Sequence, residues 1–109
     1  MSLYLTRARY TPDAYRGMIA NPAERASIAK GMFEAAGMKL HHIWMSGSTG
    51  EVVTVVEGTA VSGAAVGMVV MASGAFSEAE SIELITPDQQ VDAMKLAGTV
   101  AAKYRPPGK

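Results

Sequence analysis

The order of strand-like and helix-like segments constrains the fold of this chain more than any other feature of its sequence. Alternating or β-branched residues predict strands, and apolar residues at helical spacing predict helices. In chain order, the predicted segments cover residues 3–10, 12–36, 38–45, 51–57, 59–73, 80–85 and 87–101. Their order, β-α-β-β-α-β-α, is that of the split βαβ or ferredoxin-like arrangement with one helix added at the C-terminus. We therefore expect an α+β sandwich in which helices cover one face of a four-stranded antiparallel sheet.

Capping residues mark the predicted helix starts. Thr11 and Thr86 each precede a proline, and Gln89 lies three residues after Thr86. A threonine side chain caps the first turn, proline suits the first helical position, and a glutamine three residues after the cap completes a capping box. Pro22 interrupts the first helical segment, so we expect a second helix to begin within residues 21–24.

The third helical segment, residues 59–73, consists almost wholly of Ala, Val, Met and Gly. A helix that is apolar on all sides is expected to be buried over most of its circumference. Gly63 and Gly67 each cost it about 1 kcal/mol relative to alanine. Their presence predicts that another part of the protein packs closely against this helix.

Length and composition predict one small domain. The chain has 109 residues, of which 49% are hydrophobic and 18% charged. Surface scaling gives burial of roughly two-thirds of the unfolded surface, which is enough for one modest core. We expect a single domain over residues 1–104 and a solvated tail over residues 105–109. Ten Lys and Arg balance ten Asp and Glu, which argues against a nucleic-acid partner, because such proteins usually carry a basic patch.

The absence of cysteine excludes disulfides, thiolate nucleophiles and thiol-ligated metals. The most apolar run, residues 64–72, is shorter than the ~18 residues that a membrane span requires. The N-terminal residues lack the apolar run of a signal peptide. We therefore expect a soluble cytoplasmic protein with no membrane partner.

Strand alternation divides the sheet residues into two faces. The row expected beneath the helices is Leu3, Leu5, Val53, Val55, Ile82 and Leu84. The row expected on the open face is Tyr4, Thr6, Ala8, Tyr10, Val52, Thr54, Val56, Ser81, Glu83 and Ile85. This second row is too apolar to be left to water, and such patches usually mark an interface or a ligand site.

The candidate ligand-binding residues come from this open face and from the second strand. For that strand the two rows, Leu40/His42/Trp44 and His41/Ile43/Met45, are equally plausible inward-facing rows. A mostly apolar pocket with a few hydroxyl and imidazole groups is typical of a small-molecule site. The resulting candidates are Tyr4, Thr6, His41, His42 and Trp44.

His41 and His42 are the only histidines. Adjacent side chains on a regular strand point to opposite faces, so the two rings should not bind one metal within a chain. We expect no metal and no cofactor, and the sequence identifies no catalytic residue.

Several segments resemble the GYD domain family: Tyr4–Tyr10 followed by Thr11 and Gly17, Pro22 with Glu24 and Arg25, Val52–Glu57, Ala72–Ala75 and Leu84–Asp88. The resemblance covers residues 3–96. Where the family has its Gly-Tyr-Asp motif this chain has Thr49-Gly50-Glu51, so no role of the family's tyrosine is carried over. The family is similar to the dimeric α+β barrel superfamily, which implies a homodimer that pairs the open faces of two sheets.

Together these features predict a homodimer or dimer-based oligomer that binds a small, largely apolar molecule at the open sheet face. The alternatives are a cofactor-independent oxygenase or isomerase of the dimeric barrel type, and a purely structural or interaction module. The residues favour ligand binding over catalysis, because no convergent polar cluster can be assembled from them.

Overall fold

The computed structural model describes residues 1–109. Four strands and four helices follow one another in chain order. They are β1 (Ser2–Tyr10), α1 (Pro12–Ala20), α2 (Ala26–Ala35), β2 (Lys39–Ser46), β3 (Glu51–Gly58), α3 (Ala60–Ala72), β4 (Phe76–Leu84) and α4 (Pro87–Ala101). The expected order of elements is confirmed, with the first helical segment divided into two helices.

The four strands form one antiparallel sheet in the order β2-β3-β1-β4. The two central strands, β1 and β3, are adjacent although a helical segment and β2 separate them in sequence. This order results when the two βαβ units interleave, and it confirms the ferredoxin-like α+β fold.

Burial along β3 shows which face the helices cover. Val52, Thr54 and Val56 are buried, whereas Val53 and Val55 between them are only half-buried. Tyr4, Thr6 and Ala8 pair with the buried row and therefore share its face.

The face assignment from sequence is therefore wrong: the row expected on the open face lies beneath the helices, and the row of Leu3, Leu5, Val53 and Val55 lies on the other side. Both rows of β3 are rich in valine, so apolar character alone does not distinguish them.

The core lies between the sheet and the adjoining parts of α2 and α3. Phe33, Met38, Val56 and Val66 form the buried cluster. Met38 follows α2 and covers Gly58, where an added Cβ would lie 2.8 Å from its Cγ. Gly58 therefore permits the close contact between β3 and Met38.

Threonine caps three of the four helices. The hydroxyls of Thr11, Thr59 and Thr86 accept hydrogen bonds from backbone N–H groups of the first turns, and Gln89 completes the capping box at Thr86. The second helix starts later than the sequence predicts, at Ala26.

Two element boundaries differ from those predicted from sequence. The carboxylate of Glu24 accepts a hydrogen bond from the backbone N–H of Ser27 and therefore caps α2 from outside the helix. Strand β4 begins at Phe76, four residues before the predicted start, because Tyr10 and Phe76 extend the pairing of β1 and β4 beyond a register shift.

Two helices expose apolar surface. The expectation that α3 is buried on most of its circumference is wrong for the single chain, because only Val66 of this helix is buried. No residue of α4 is buried, and this helix makes only marginal contacts with the other elements. The molecule is correspondingly elongated, with dimensions of 61 × 32 × 23 Å. None of its helices has the length and apolar character needed to cross a membrane.

Candidate functional site

The sheet surface that faces away from α2 and α3, here called the open face, is apolar in its middle. Cross-strand pairs place Leu5 beside Val55 and Ile82, and Leu3 beside Leu84. Val53 continues the row toward β2, where it pairs with Trp44. These side chains form a continuous strip across the four strands, and no helix of the chain covers it.

An aromatic stack lies at the β2 edge of the open face. The rings of His42 and Trp44 are parallel to within 11°, with centroids 4.7 Å apart. Their backbone partners are Val55 and Val53, so both rings stand on the open face. Trp44 is 60% exposed, which leaves much of its indole surface available for contact with another molecule.

A β-bulge places the second imidazole on the same face. The register of β2 shifts between Leu40 and His42, so His41 is an extra residue in the strand. Its Nε2 lies 2.9 Å from Oε1 of Glu57, and Glu57 belongs to the open-face row of β3. The prediction that His41 and His42 point to opposite faces of the sheet is therefore wrong, because a bulge interrupts the alternation of side chains. No group of three His, Cys, Asp or Glu side chains is placed to hold a metal ion.

Charged residues occupy one end of the open face. The guanidinium of Arg7 on β1 lies 3.3 Å from Glu51 on β3 and 4.0 Å from Glu80 on β4. A hydrogen bond from Thr49 and the positive charge of Arg7 lower the pKa of Glu51. This cluster gives the apolar strip a polar boundary.

The five predicted ligand-binding residues are divided between the two faces. His41, His42 and Trp44 are on the open face, whereas Tyr4 and Thr6 are beneath the helices, where the hydroxyl of Thr6 bonds with that of Thr54. Leu5, Val53 and Val55 are not among the site residues predicted from sequence. Their alternation was visible, but it was assigned to the covered face.

A concave surface, here called the α2–α3 cleft, lies on the helical side of the sheet. It has a volume of about 720 Å³. Its lining includes Ile28 and Met32 of α2, Gly67 and Val70 of α3, and Thr54 on the sheet. The cleft is mostly apolar and falls in the size range of small-molecule pockets.

Aromatic rings border the cleft where β1 ends. Tyr10 stacks on Phe76 with ring centroids 4.7 Å apart, and Tyr15 meets Tyr10 edge-on at 5.7 Å. Burial raises the pKa of the Tyr10 phenol, and the nearby charge of Arg25 partly opposes this shift. Arg25 also lines the cleft.

Comparison with known proteins identifies a family. A family model described as GYD domain matches residues 4–94. No curated protein is significantly similar to the chain. A solved structure, the crystal structure of an uncharacterized NIPSNAP domain protein from Burkholderia xenovorans, is 16% identical, with 79% of this chain and 94% of that chain covered and a TM-score of 0.45. The family model spans most of the sequence, and the chain belongs to the GYD domain family.

Proposed function

We propose that this member of the GYD domain family is a homodimer that pairs two open faces and binds a small, largely apolar molecule between them. The observation that carries the proposal is the stack of His42 and Trp44 beside an uncovered apolar strip. The bound molecule would be an oxygenated compound, because the face offers imidazoles at one edge and an Arg7–Glu51 pair at one end.

The apolar strip supports self-association. Leu5, Val53 and Val55 lie in the middle of a sheet, and no element of their own chain covers them. Contiguous apolar surface of this kind is uncommon on monomeric proteins and usually serves an interface or a ligand site. Pairing of two such faces around a two-fold axis brings the same strip from both chains together and makes the interface self-complementary.

The aromatic stack supports binding at the edge of that interface. Trp44 combines a large rigid apolar surface with one N–H donor, and tryptophan is well suited to surfaces that are part apolar and part polar. His42 stacks on one side of the indole, and Trp44 as a whole remains 60% exposed. Pockets for small molecules commonly combine a mostly apolar lining with a few polar groups that orient the ligand.

A quenching titration tests the proposed ligand site. Trp44 is the only tryptophan, so the tryptophan fluorescence of the protein comes from this residue alone. The probe is menadione, an apolar quinone with two fused rings, and the chain has no cysteine that would react with it. We expect saturable quenching of Trp44, and His42→Ala should weaken the affinity about threefold to tenfold because the stack is lost.

Tyr4→Phe is the matched control, because it removes one hydroxyl on the covered face and should leave the titration unchanged. Sensitivity to Tyr4→Phe without sensitivity to His42→Ala would move the site to the α2–α3 cleft. The ligand-binding proposal fails if quenching stays linear, as for free tryptophan, with menadione and with a panel of related apolar ketones and phenols.

The pair of His41 and Glu57 favours a second candidate function, a cofactor-independent enzyme such as an isomerase or oxygenase. An imidazole held 2.9 Å from a carboxylate is suited to accept a proton from a bound molecule. The test follows deuterium uptake next to the carbonyl of tetralone in heavy water by proton NMR. Exchange above the buffer rate that His41→Gln abolishes and Lys39→Gln retains would support this function. Exchange at the buffer rate would contradict it.

A further inference from the structure

We infer that α4 of one chain packs into the α2–α3 cleft of a second copy, and that the second copy makes the same contact in return. The inference rests on the self-association in the proposed function and is independent of its ligand. It concerns the helical side of the sheet, whereas the proposed ligand site is on the open face.

Beyond Gln89 and Gln90 in its first turn, helix α4 carries apolar or small side chains around most of its circumference. At 100° per residue, its charged residues Asp88, Asp92 and Lys95 fall within a sector of about 60°. Val91, Met94, Leu96 and Val100 lie outside that sector and are 46–65% exposed. A helix with such a narrow polar stripe needs to be covered on several sides, and a cleft provides such cover where a flat surface does not.

The α2–α3 cleft has the shape and chemistry to receive a helix. One wall is α3, which contributes Ala60, Gly63, Ala64 and Gly67 to the lining. An added Cβ at Gly67 would meet no atom within 4 Å, so the close packing that the sequence predicts for this glycine is not made within the chain. Small residues on one helix allow a second helix to approach closely, and Ala97, Gly98 and Ala101 of α4 are equally small.

The exposed area of the chain is large enough to supply the interface of a stable dimer. A compact chain of 11.4 kDa has a surface of roughly 5,800 Å², whereas this chain exposes 7818 Å². The excess is about 2,000 Å² per chain. Covering it on two chains removes about 4,000 Å² in total, which lies within the range of obligate homodimers.

Charge also matches across the proposed contact. Arg25 lines the cleft and takes part in none of the ion pairs within the chain. The polar stripe of α4 carries two acidic residues, Asp88 and Asp92, against one basic residue, Lys95, and neither carboxylate forms an ion pair within the chain. Packing of α4 with its apolar side inward leaves this stripe at the rim of the cleft, within reach of Arg25.

A second copy is the occupant that the shape of the molecule favours. Only Ile85 and Thr86 separate β4 from α4, and α4 extends away from the sheet in a molecule 61 Å long. In each chain, α4 contributes no residue to the lining of the α2–α3 cleft. Reciprocal exchange around a two-fold axis fills both clefts and leaves neither α4 uncovered, so the contact closes on itself.

Gly67→Leu tests the contact. The substitution places a large side chain in the cleft, where the single chain has open space, so folding should be unaffected while the partner's α4 is obstructed. We expect the dimer dissociation constant, measured by sedimentation velocity, to rise at least about tenfold. Gly31→Leu is the matched control, because Gly31 is also a helical glycine with no atom within 4 Å but does not line the cleft. An unchanged dissociation constant for Gly67→Leu would overturn the inference.

Disulfide cross-linking distinguishes exchange from docking within one chain. Because the protein has no cysteine, Ile28→Cys in the cleft and Met94→Cys on α4 can be prepared as separate single variants and mixed. We expect an oxidised product that joins the two different variants, and no such product when Lys95→Cys replaces Met94→Cys. A double variant carries Ile28→Cys and Met94→Cys in one chain. If a disulfide forms only within this double variant, α4 folds back on its own cleft. The dissociation constant and the disulfide cross-link do not depend on menadione binding. Failure of the ligand proposal can therefore be distinguished from failure of this inference.

Discussion

The hydroxyls of Thr6 and Thr54 form a polar contact between the two central strands beneath the helices. Thr54 is only 5% exposed, and it lies between Val52 and Val56 in an otherwise apolar row. A buried hydroxyl is tolerated there because its neighbour across the strands supplies a partner. Removal of one hydroxyl leaves the other without that partner, whereas removal of both leaves an apolar contact of nearly the same shape.

Thr54→Val should therefore lower the free energy of unfolding by about 1–2 kcal/mol. The double variant Thr6→Val/Thr54→Val should recover most of that loss. Urea unfolding followed by circular dichroism at one fixed protein concentration provides the measurement. Strictly additive losses in the double variant would show that the two hydroxyls do not act as a pair.

Glu51 links stability to pH at the charged end of the open face. A hydrogen bond from Thr49 and the charge of Arg7 lower its pKa in the folded chain. A carboxylate whose pKa is lower in the folded than in the unfolded state stabilises the fold above its unfolded pKa, and this contribution disappears as the pH falls through the folded value.

We expect the free energy of unfolding to decrease as the pH is lowered from about 5 to about 3. The decrease should be shallower in Glu51→Gln, which has no carboxylate to protonate, and unaltered in Glu78→Gln, a carboxylate of β4 outside the Arg7 cluster. Urea unfolding at a series of pH values measures these slopes. Equal slopes for Glu51→Gln and the unsubstituted chain would contradict the role of Glu51.

At the scale of elements, the β2–β3 connection depends on one glycine. Gly50 has a φ of +71°, a backbone conformation that residues with a side chain rarely adopt. The hydroxyl of Tyr15 in α1 donates a hydrogen bond to the carbonyl oxygen of Gly50 at 3.1 Å. An added Cβ would lie 2.9 Å from the same hydroxyl, so the turn and its contact with α1 both need glycine.

Gly50→Ala should destabilise the fold by about 1–2 kcal/mol, because it strains the backbone and displaces Tyr15. Gly47→Ala in the same connection is the control and should change stability by less than about 0.5 kcal/mol, since its φ is not positive and an added Cβ there meets nothing. Thermal unfolding of the three proteins compares them. Equal melting temperatures for Gly50→Ala and Gly47→Ala would show that neither constraint matters.

The element order and the threonine-capped helix starts could be predicted from sequence because they depend on local chemistry. Thr11 and Thr86 illustrate this, since their caps involve only the next three residues. The covered face could not be predicted in the same way, because Val52 and Val53 differ in neither size nor polarity, and their burial depends on where α2 and α3 pack. The bulge at His41 could not be predicted from sequence either, because it arises from the pairing of β2 with β3.

At the scale of the whole molecule, three apolar surfaces remain uncovered in the single chain: the open face, the α2–α3 cleft and helix α4. Only eight of the 109 residues are buried, and the radius of gyration is 18.2 Å, against roughly 13 Å for a compact chain of this length. In the proposed assembly the open face pairs with the same face of a second chain, whereas α4 packs into the cleft of a second chain. Under these two proposals, a second copy of the chain covers all three surfaces.

The mass of the protein in solution is the most direct test of whether the chain self-associates. Light scattering on the full chain, coupled to size-exclusion chromatography and carried down to about 1 µM, should give twice the chain mass of 11.4 kDa, or a multiple of that dimer mass. The value should stay constant across the dilution series, because covering about 2,000 Å² per chain makes an obligate interface. A mass of 11.4 kDa throughout the series would show that the chain does not self-associate and that its apolar surfaces are stable in water without a partner.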